Sequence, residues 1–583
     1  MSVTTAASAR VVADLPFLAA QLHDDRTAWR SRGADGWVDR SFTEVAEWVM
    51  DLASGLVQRG VAPGDRVAVL AETRPEWAAA ELAVLAAGGV VVPIYPSSAA
   101  EECAWILSDS GAVLLIAENA EQRAKVESIR AEVPSLREIV VMDGGLDELA
   151  SDGRTSPQPA ELDARRASID PDSPSLIIYT SGTTGPPKGC VLTHTNWLTM
   201  CRLTEELSYV VSDDVVYLFL PLAHVFAQIV HLSALYVGAT LAFTGGNPAR
   251  IVPELAEVQP TFLPSVPRIF EKVYTAATAG VPEDKLKQAV HIGLTVRRLR
   301  AAGQPVPPEL EAGFAQVEPI FARVRAIFGG RLRQALSGAA PISVEVLEFF
   351  SAAGVPVLEG YGMSESTGVG TVNTLHRHRL GSVGAFGIAG LDLRIAEDGE
   401  ILMRGPHVFA GYWNNPAATA AVLDDGWLHT GDLGEVDEDG FVKITGRKKD
   451  IIITAGGKNI APANVENQLR QSRWVSHAVV YGDRRPYLVA LITLDQDEIV
   501  PWAAERGLPT DIPSLAATPE VRELVQAVVD EANTHFARVS QIKRFAILDR
   551  DLTQDTGELT PTLKVKRNVV HTTHADRYDE LYG

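Results

Sequence analysis

The stretch YTSGTTGPPKGCVLTH, residues 179–194, gathers the hydroxyls of Thr180, Ser181, Thr183 and Thr184 around a single lysine, Lys188. Gly182, Gly185 and Gly189 lie among them, with Pro186 and Pro187 just before the lysine. Glycine backbone N–H groups can approach an anion closely because no Cβ stands in the way. Hydroxyl donors and one full positive charge complete a cradle for a polyphosphate. The spacing departs from the GxxxxGK[ST] loop, since Pro187 precedes Lys188 and Gly189 follows it. A lysine so flanked is not expected to open a helix, which disfavours the ATPases and GTPases built on that loop.

Seven more motifs follow in chain order. They are PLAHVFAQ from Pro221, SGAAPI from Ser337, EGYGMSES from Glu359, GEILMRGPHVFAGYWNNPAAT from Gly399, DGWLHTGD from Asp425, GRKKDIIITAGGKNIAP from Gly446 and LTPTLKVKR from Leu559. Together with the first loop they resemble the signature series of the adenylate-forming enzymes. That superfamily holds acyl-CoA synthetases, peptide-synthetase adenylation domains and beetle luciferases. The resemblance runs along essentially the whole chain. Residues 296–342 and 425–462 are similar to bacterial long-chain fatty acyl-CoA synthetases.

The resemblance implies a two-step reaction with ATP, Mg²⁺ and coenzyme A. A carboxylate is a poor electrophile; its adenylate, with AMP as leaving group, is open to attack by a thiol. Both steps concentrate negative charge, so donors, a metal and positioning are what the protein must supply. By the resemblance, Thr180, Ser181, Gly182, Thr183, Thr184, Gly185 and Lys188 hold the phosphates. Glu365 and Thr184 bind Mg²⁺, a hard cation that prefers oxygen ligands. Tyr361 stacks on adenine, flanked by Gly338, Ala339, Gly362 and Met363. Ser364, where most relatives carry threonine, keeps a hydroxyl for the α-phosphate. Asp432 takes the ribose hydroxyls, supported by Arg447.

Two further residues complete the implied catalytic set. Lys564, preceded by Leu563 where many relatives have glycine, steadies charge on the reacting carboxylate and α-phosphate. His224 on its own reads as a packed core histidine; the resemblance places it near the acyl carboxylate. Lys449 matches a hinge about which a small domain rotates between half-reactions. Gly456 and Gly457 would then let the pantetheine arm pass close to backbone.

The implied activity is a long-chain fatty acid:CoA ligase. Alternatives left open are a free-standing fatty acyl-AMP ligase that loads a carrier protein, and a CoA ligase for medium-chain or aryl acids. A luciferase-type oxygenase and a non-catalytic lipid binder are weaker readings. Lys564 and Glu365, which a non-catalytic relative should have lost, are both present.

The elements that must position these residues read as α/β layers. Apolar runs at 176–179, 215–220 and 239–243 are expected as strands, and 271–328 as mostly helix broken at 303–309. From about residue 400 short strands and turns take over, with Asp439-Gly440 as a hairpin signal. We expect an α/β fold: a large N-terminal domain, 1–448, of layered sheets and helices with a β-rich subdomain. A small mobile α+β domain, 449–583, follows it.

The net charge of −22 (52 Lys and Arg against 74 Asp and Glu) argues against nucleic-acid binding. Cys103, Cys190 and Cys201 show no metal or disulfide spacing and point to a reducing, cytoplasmic setting. The N-terminus lacks a signal-peptide pattern. The apolar window from Trp77 contains Glu81, Gly88, Gly89 and Pro93 and is expected as a buried helix, turn and strand rather than a membrane span. The patch Arg297-Arg298 leaves peripheral contact with the inner membrane face open, and monomer and homodimer are both open.

Overall fold

The computed structural model describes residues 5–180, 186–388, 390–560 and 562–583. Runs such as RVAVL, VVVPI and LLIA are apolar at nearly every position, the pattern of strands buried on both faces. They form the centre of a seven-stranded sheet ordered Gly411–Tyr412, Lys188–Thr193, Pro174–Thr180, Val90–Ile94, Arg66–Leu70, Leu114–Ala117, Glu138–Val141. An eight-stranded sheet runs Thr371–Val372, Val357–Tyr361, Gln334–Ser337, Phe262–Ser265, Val215–Leu218, Thr240–Phe243, Thr27–Gly33, Gly36–Ser41. Most neighbours in both sheets are parallel. One hydrophobic core joins the two sheets through buried helices, with Trp77 and Trp197 fully enclosed.

The window from Trp77 is the helix Pro75–Ala86, a glycine turn and the strand Val90–Ile94, as expected. Glu81 lies inside it without solvent contact, and His231 Nδ1 meets its Oε2 at 3.1 Å. Among the described residues no helix is long and apolar enough to cross a membrane. All three cysteines are buried and free.

The 271–328 region resolves into the helices Pro267–Thr278, Glu283–Ala301 and Pro308–Ile327, the last two separated at the predicted break. The β-rich unit is a five-stranded sheet in which Trp427–Val436 pairs with Val442–Arg447 around the Asp439-Gly440 turn. After Arg447 the next strand is Ile452–Ile453, paired with Asn459–Ile460. A three-stranded sheet, Val475–Tyr481, Leu488–Leu494 and Ile542–Ile547, then carries a separate core with the helices Pro462–Arg470 and Pro519–Thr534. The molecule is thus a large α/β domain followed by a smaller α+β one.

Candidate functional site

Strands Pro174–Thr180 and Lys188–Thr193 are antiparallel neighbours, with Thr180 opposite Lys188. The strands on either side of residues 181–185 therefore pair directly, and Lys188 opens a strand rather than a helix. Ser181, Gly182, Thr183, Thr184 and Gly185 lie outside the described residues. At the loop's exit the indole of Trp105 donates to the Pro187 carbonyl at 2.9 Å. Lys188 Nζ stands 5.1 Å from the ring centre of Tyr412, whose strand pairs with Cys190 in the same sheet.

The motif expected beside adenine, EGYGMSES, spans the end of the strand Val357–Tyr361. Gly362 allows the chain to fold back: a Cβ there would lie 2.2 Å from the Gly368 carbonyl oxygen. A 3₁₀ turn, Ser364–Ser366, follows, with Met363 N–H donating to Ser366 Oγ at 3.1 Å. Glu365 in this turn is buried, and its Oε1 accepts from the Tyr412 hydroxyl at 2.7 Å. Gly338 and Ala339 follow the strand Gln334–Ser337. A Cβ on Gly338 would touch the Phe226 ring at 3.3 Å. Ala339 has φ of +69°, a left-handed conformation uncommon outside glycine.

Asp432 and Arg447 face each other across the Trp427–Val436 and Val442–Arg447 strands. Arg447 Nε donates to Asp432 Oδ1 at 2.7 Å, and the Tyr361 hydroxyl donates to Oδ2 at 2.6 Å. Burial and the Asp432 charge push the Tyr361 phenol well above its usual range, so it stays a donor. Each carboxylate oxygen keeps a second lone-pair direction for a further hydroxyl.

His224 caps the N-terminus of the buried helix Val225–Val237, its Nδ1 accepting from the Phe226 N–H at 3.2 Å. Burial, then the positive charge of Lys564, holds its pKa down at about 3. The ring is neutral, and with Nδ1 accepting, its proton sits on Nε2. Lys564 comes from the small domain. Its side chain is exposed, yet protein atoms crowd around the amine; burial and then Arg447 lower its pKa, opposed by Asp432 and Glu365. The Lys564 charge thus acts on His224, and the charges of Arg447, Asp432 and Glu365 act on Lys564.

The turn that presents Lys564 is a narrow hairpin. Leu563 N–H donates to the Thr560 carbonyl at 2.8 Å, and Thr560 N–H to the Lys564 carbonyl at 2.8 Å. Leu563 sits at the left-handed position with φ of +58°, which accounts for the glycine usual there. Lys449, Gly456 and Gly457 are not in the cleft group; all three are solvent-exposed, and Gly457 has φ of +76°.

Sequence reasoning quoted Tyr412 inside a motif without assigning it chemistry. Its contacts with Glu365 and Lys188 are long-range, and no spacing rule signals them. Arg268, described below, was missed for the same reason.

The fold and cleft define a two-domain α/β protein in which the smaller domain delivers a lysine to carboxylates and an arginine of the larger. The family model described as AMP-binding enzyme matches residues 17–413, and the one described as AMP-binding enzyme C-terminal domain matches 449–583. The chain belongs to the AMP-binding enzyme family. It is 41% identical over 571 residues to long-chain-fatty-acid–CoA ligase FadD15 of Mycobacterium bovis, covering 94% of this chain and 93% of that protein. To human long-chain-fatty-acid–CoA ligase 1 it is 32% identical, covering 93% and 82%. The crystal structure of a carboxylate reductase adenylation domain from Mycobacterium chelonae shares the fold, with TM-score 0.76 and 22% identity, covering 98% of this chain and 91% of that one.

Proposed function

We propose that the protein is an AMP-forming long-chain fatty acid:CoA ligase. The observation that carries this reading is Asp432 held between Arg447 and Tyr361, with the charges of Asp432 and Arg447 reaching Lys564 from the small domain and that of Lys564 reaching His224. Residues 1–448 form the adenylating domain and 449–583 a mobile one. The arrangement described suits the first half-reaction, since Lys564 lies in the cleft and the Gly456-Gly457 turn lies outside it.

Asp432 is suited to the ribose hydroxyls, because Arg447 fixes one carboxylate oxygen and Tyr361 the other. His224, neutral and with its proton on Nε2, donates a hydrogen bond to the fatty acid carboxylate and leaves it anionic for attack on the α-phosphorus. Lys564 adds positive charge where the pentavalent phosphorus accumulates negative charge. Phosphate oxygens arriving nearby raise its pKa again, so it acts as an ammonium and not as a base. Lys188, with the 180–185 loop, holds the outer phosphates.

Mg²⁺ fits this donor set. Among the described residues no three or more His, Cys, Asp or Glu side chains are grouped so as to hold a metal ion by themselves. A lone buried carboxylate is what this ion needs when substrate phosphates and water complete its shell. Glu365, with Thr184, would hold it, and it would neutralise charge on the leaving pyrophosphate. The three buried thiols suit the reducing cytoplasm.

The test is isotope exchange between labelled pyrophosphate and ATP, run with acids of increasing chain length, followed by thioester formation with CoA or with a carrier protein. Exchange that needs a long-chain acid, and thioester on CoA, is the expected result. ADP as product, or transfer to the carrier alone, overturns the reading.

A further inference from the structure

Glu365 and Lys188 belong to different motifs, and a single side chain touches both. The Tyr412 hydroxyl donates to Glu365 Oε1 at 2.7 Å, and the Tyr412 ring lies 5.1 Å from Lys188 Nζ. The ring is itself held. Phe409 packs edge-on at 4.9 Å between centres, and the Tyr412 N–H donates to Thr419 Oγ1 at 2.9 Å. The same segment grips the Glu365 backbone, with Phe409 N–H donating to its carbonyl at 2.9 Å. Asn196 secures the segment from behind by donating to the Pro406 and Val408 carbonyls at 2.8 and 3.0 Å.

We propose that Tyr412 is a positioning residue that sets the Glu365 carboxylate for Mg²⁺ and holds the Lys188 ammonium beside it. This rests on Glu365 being the metal ligand. A carboxylate turns easily about its last bond, and either oxygen can meet a cation. A fixed phenol on Oε1 removes that freedom and commits Oε2 to the metal, as outer-shell donors commonly do for ligating side chains. A phenol ordinarily titrates at about pH 10, so at neutral pH the hydroxyl is a donor. The ring face meanwhile attracts the Lys188 ammonium. Hydroxyl and ring therefore perform separable tasks, one toward metal and one toward phosphate.

The experiment uses the full chain with Mn²⁺ as a spectroscopic substitute for Mg²⁺ and α,β-methylene-ATP as a non-reacting nucleotide. Tyr412→Phe keeps the ring and the packing and removes one oxygen atom. We expect its Mn²⁺ affinity, read by electron paramagnetic resonance, to fall roughly 10- to 100-fold. Its melting curve and its affinity for metal-free nucleotide should match the parent. Tyr412→Leu removes the ring too, and should weaken metal-free nucleotide binding as well. Parental Mn²⁺ binding by Tyr412→Phe, or an equal loss with and without metal, overturns the proposal. Glu365→Gln separates the two levels. If it still binds Mn²⁺ normally, the metal assignment itself fails; if it loses Mn²⁺ while Tyr412→Phe keeps it, only the role of Tyr412 fails.

Discussion

Arg268 on the helix Pro267–Thr278 forms a salt bridge with Asp495, and the pair crosses from the large domain to the small one. Asp495 is fixed for this contact because its Oδ1 caps the helix Gln496–Ala504, accepting from Asp497 N–H at 3.1 Å. One turn along, Lys272 Nζ stands 3.7 Å from Asp497. Both pairs belong to the arrangement in which Lys564 faces His224. Breaking them removes support from that orientation and from no other described here. The double change Arg268→Ala with Lys272→Ala should slow acid-dependent pyrophosphate exchange by about fivefold, equivalent to about 1 kcal/mol. Thioester formation from supplied acyl-AMP should be unchanged or faster. Raising the salt concentration should reproduce part of the effect in the parent protein.

Under the proposed mechanism Lys564 and Lys449 of the small domain serve different half-reactions. Lys564→Ala should then lose adenylation by at least a hundredfold, as removal of one charge-stabilising donor does. It should still convert acyl-AMP and CoA to thioester. Lys449 lies between the strand that ends at Arg447 and the one that begins at Ile452, exposed and clear of the cleft. Proline there would restrict φ to about −65°. Lys449→Pro should retain adenylation and lose thioester formation. Equal loss of both half-reactions in either variant would contradict rotation about this point.

What the sequence could and could not carry divides along a physical line. Lys188, Glu365, Asp432 and Lys564 were legible because each sits in a contiguous stretch whose turn geometry is local. Gly362 illustrates this, since its lack of a side chain answers to Gly368 only six positions away. Pairings between distant stretches had no local signal: Tyr361 with Asp432, Tyr412 with Glu365, Arg268 with Asp495. Strand ends were blurred for a related reason. The run expected as a strand over 215–220 stops pairing at Leu218, because Leu220 gives its carbonyl to the Thr73 hydroxyl and Pro221 has no N–H to offer.

Leu563 holds a left-handed conformation directly before Lys564, with 63% of its surface exposed. Little packing compensates the strain, which for a non-glycine residue is about 1 kcal/mol or more. Leu563→Gly relieves that strain but frees the unfolded chain, which costs about 0.4–1 kcal/mol. Its melting temperature and adenylation rate should therefore stay close to those of the parent. Leu563→Val puts a β-branched side chain where φ is positive, a genuine outlier. It should displace Lys564 and slow pyrophosphate exchange about tenfold with little change in KM for ATP. Equal rates for the glycine and valine variants would show that the turn does not set the position of the lysine.

Buried neutral histidines make the fold sensitive to mild acid. Burial lowers His194 to about 4, with Arg10 adding to the effect, and lowers His407 to about 4 despite Asp392. His194 Nδ1 accepts the Val12 N–H at 3.2 Å, a bond that protonation would break. Their folded pKa values lie below the unfolded value of 6.5, so the unfolded chain takes up protons first as pH falls. Stability is full above about pH 6.5 and is lost progressively down to about pH 4, at most about 3 kcal/mol for each residue. Asp551 and Glu558, both held at about 2, work in a lower window: their stabilisation is lost only as pH falls below the ordinary carboxylate range. Melting temperatures should therefore begin to fall near pH 6.5, before ordinary carboxylates titrate, with Glu359, raised to about 7 by burial, opposing part of the fall. His407→Phe, which keeps a ring in the site without a titrating group, should reduce the steepness between pH 6 and 4.5 by close to one proton. A melting temperature that stays flat from pH 7 to 4.5 would refute this assignment.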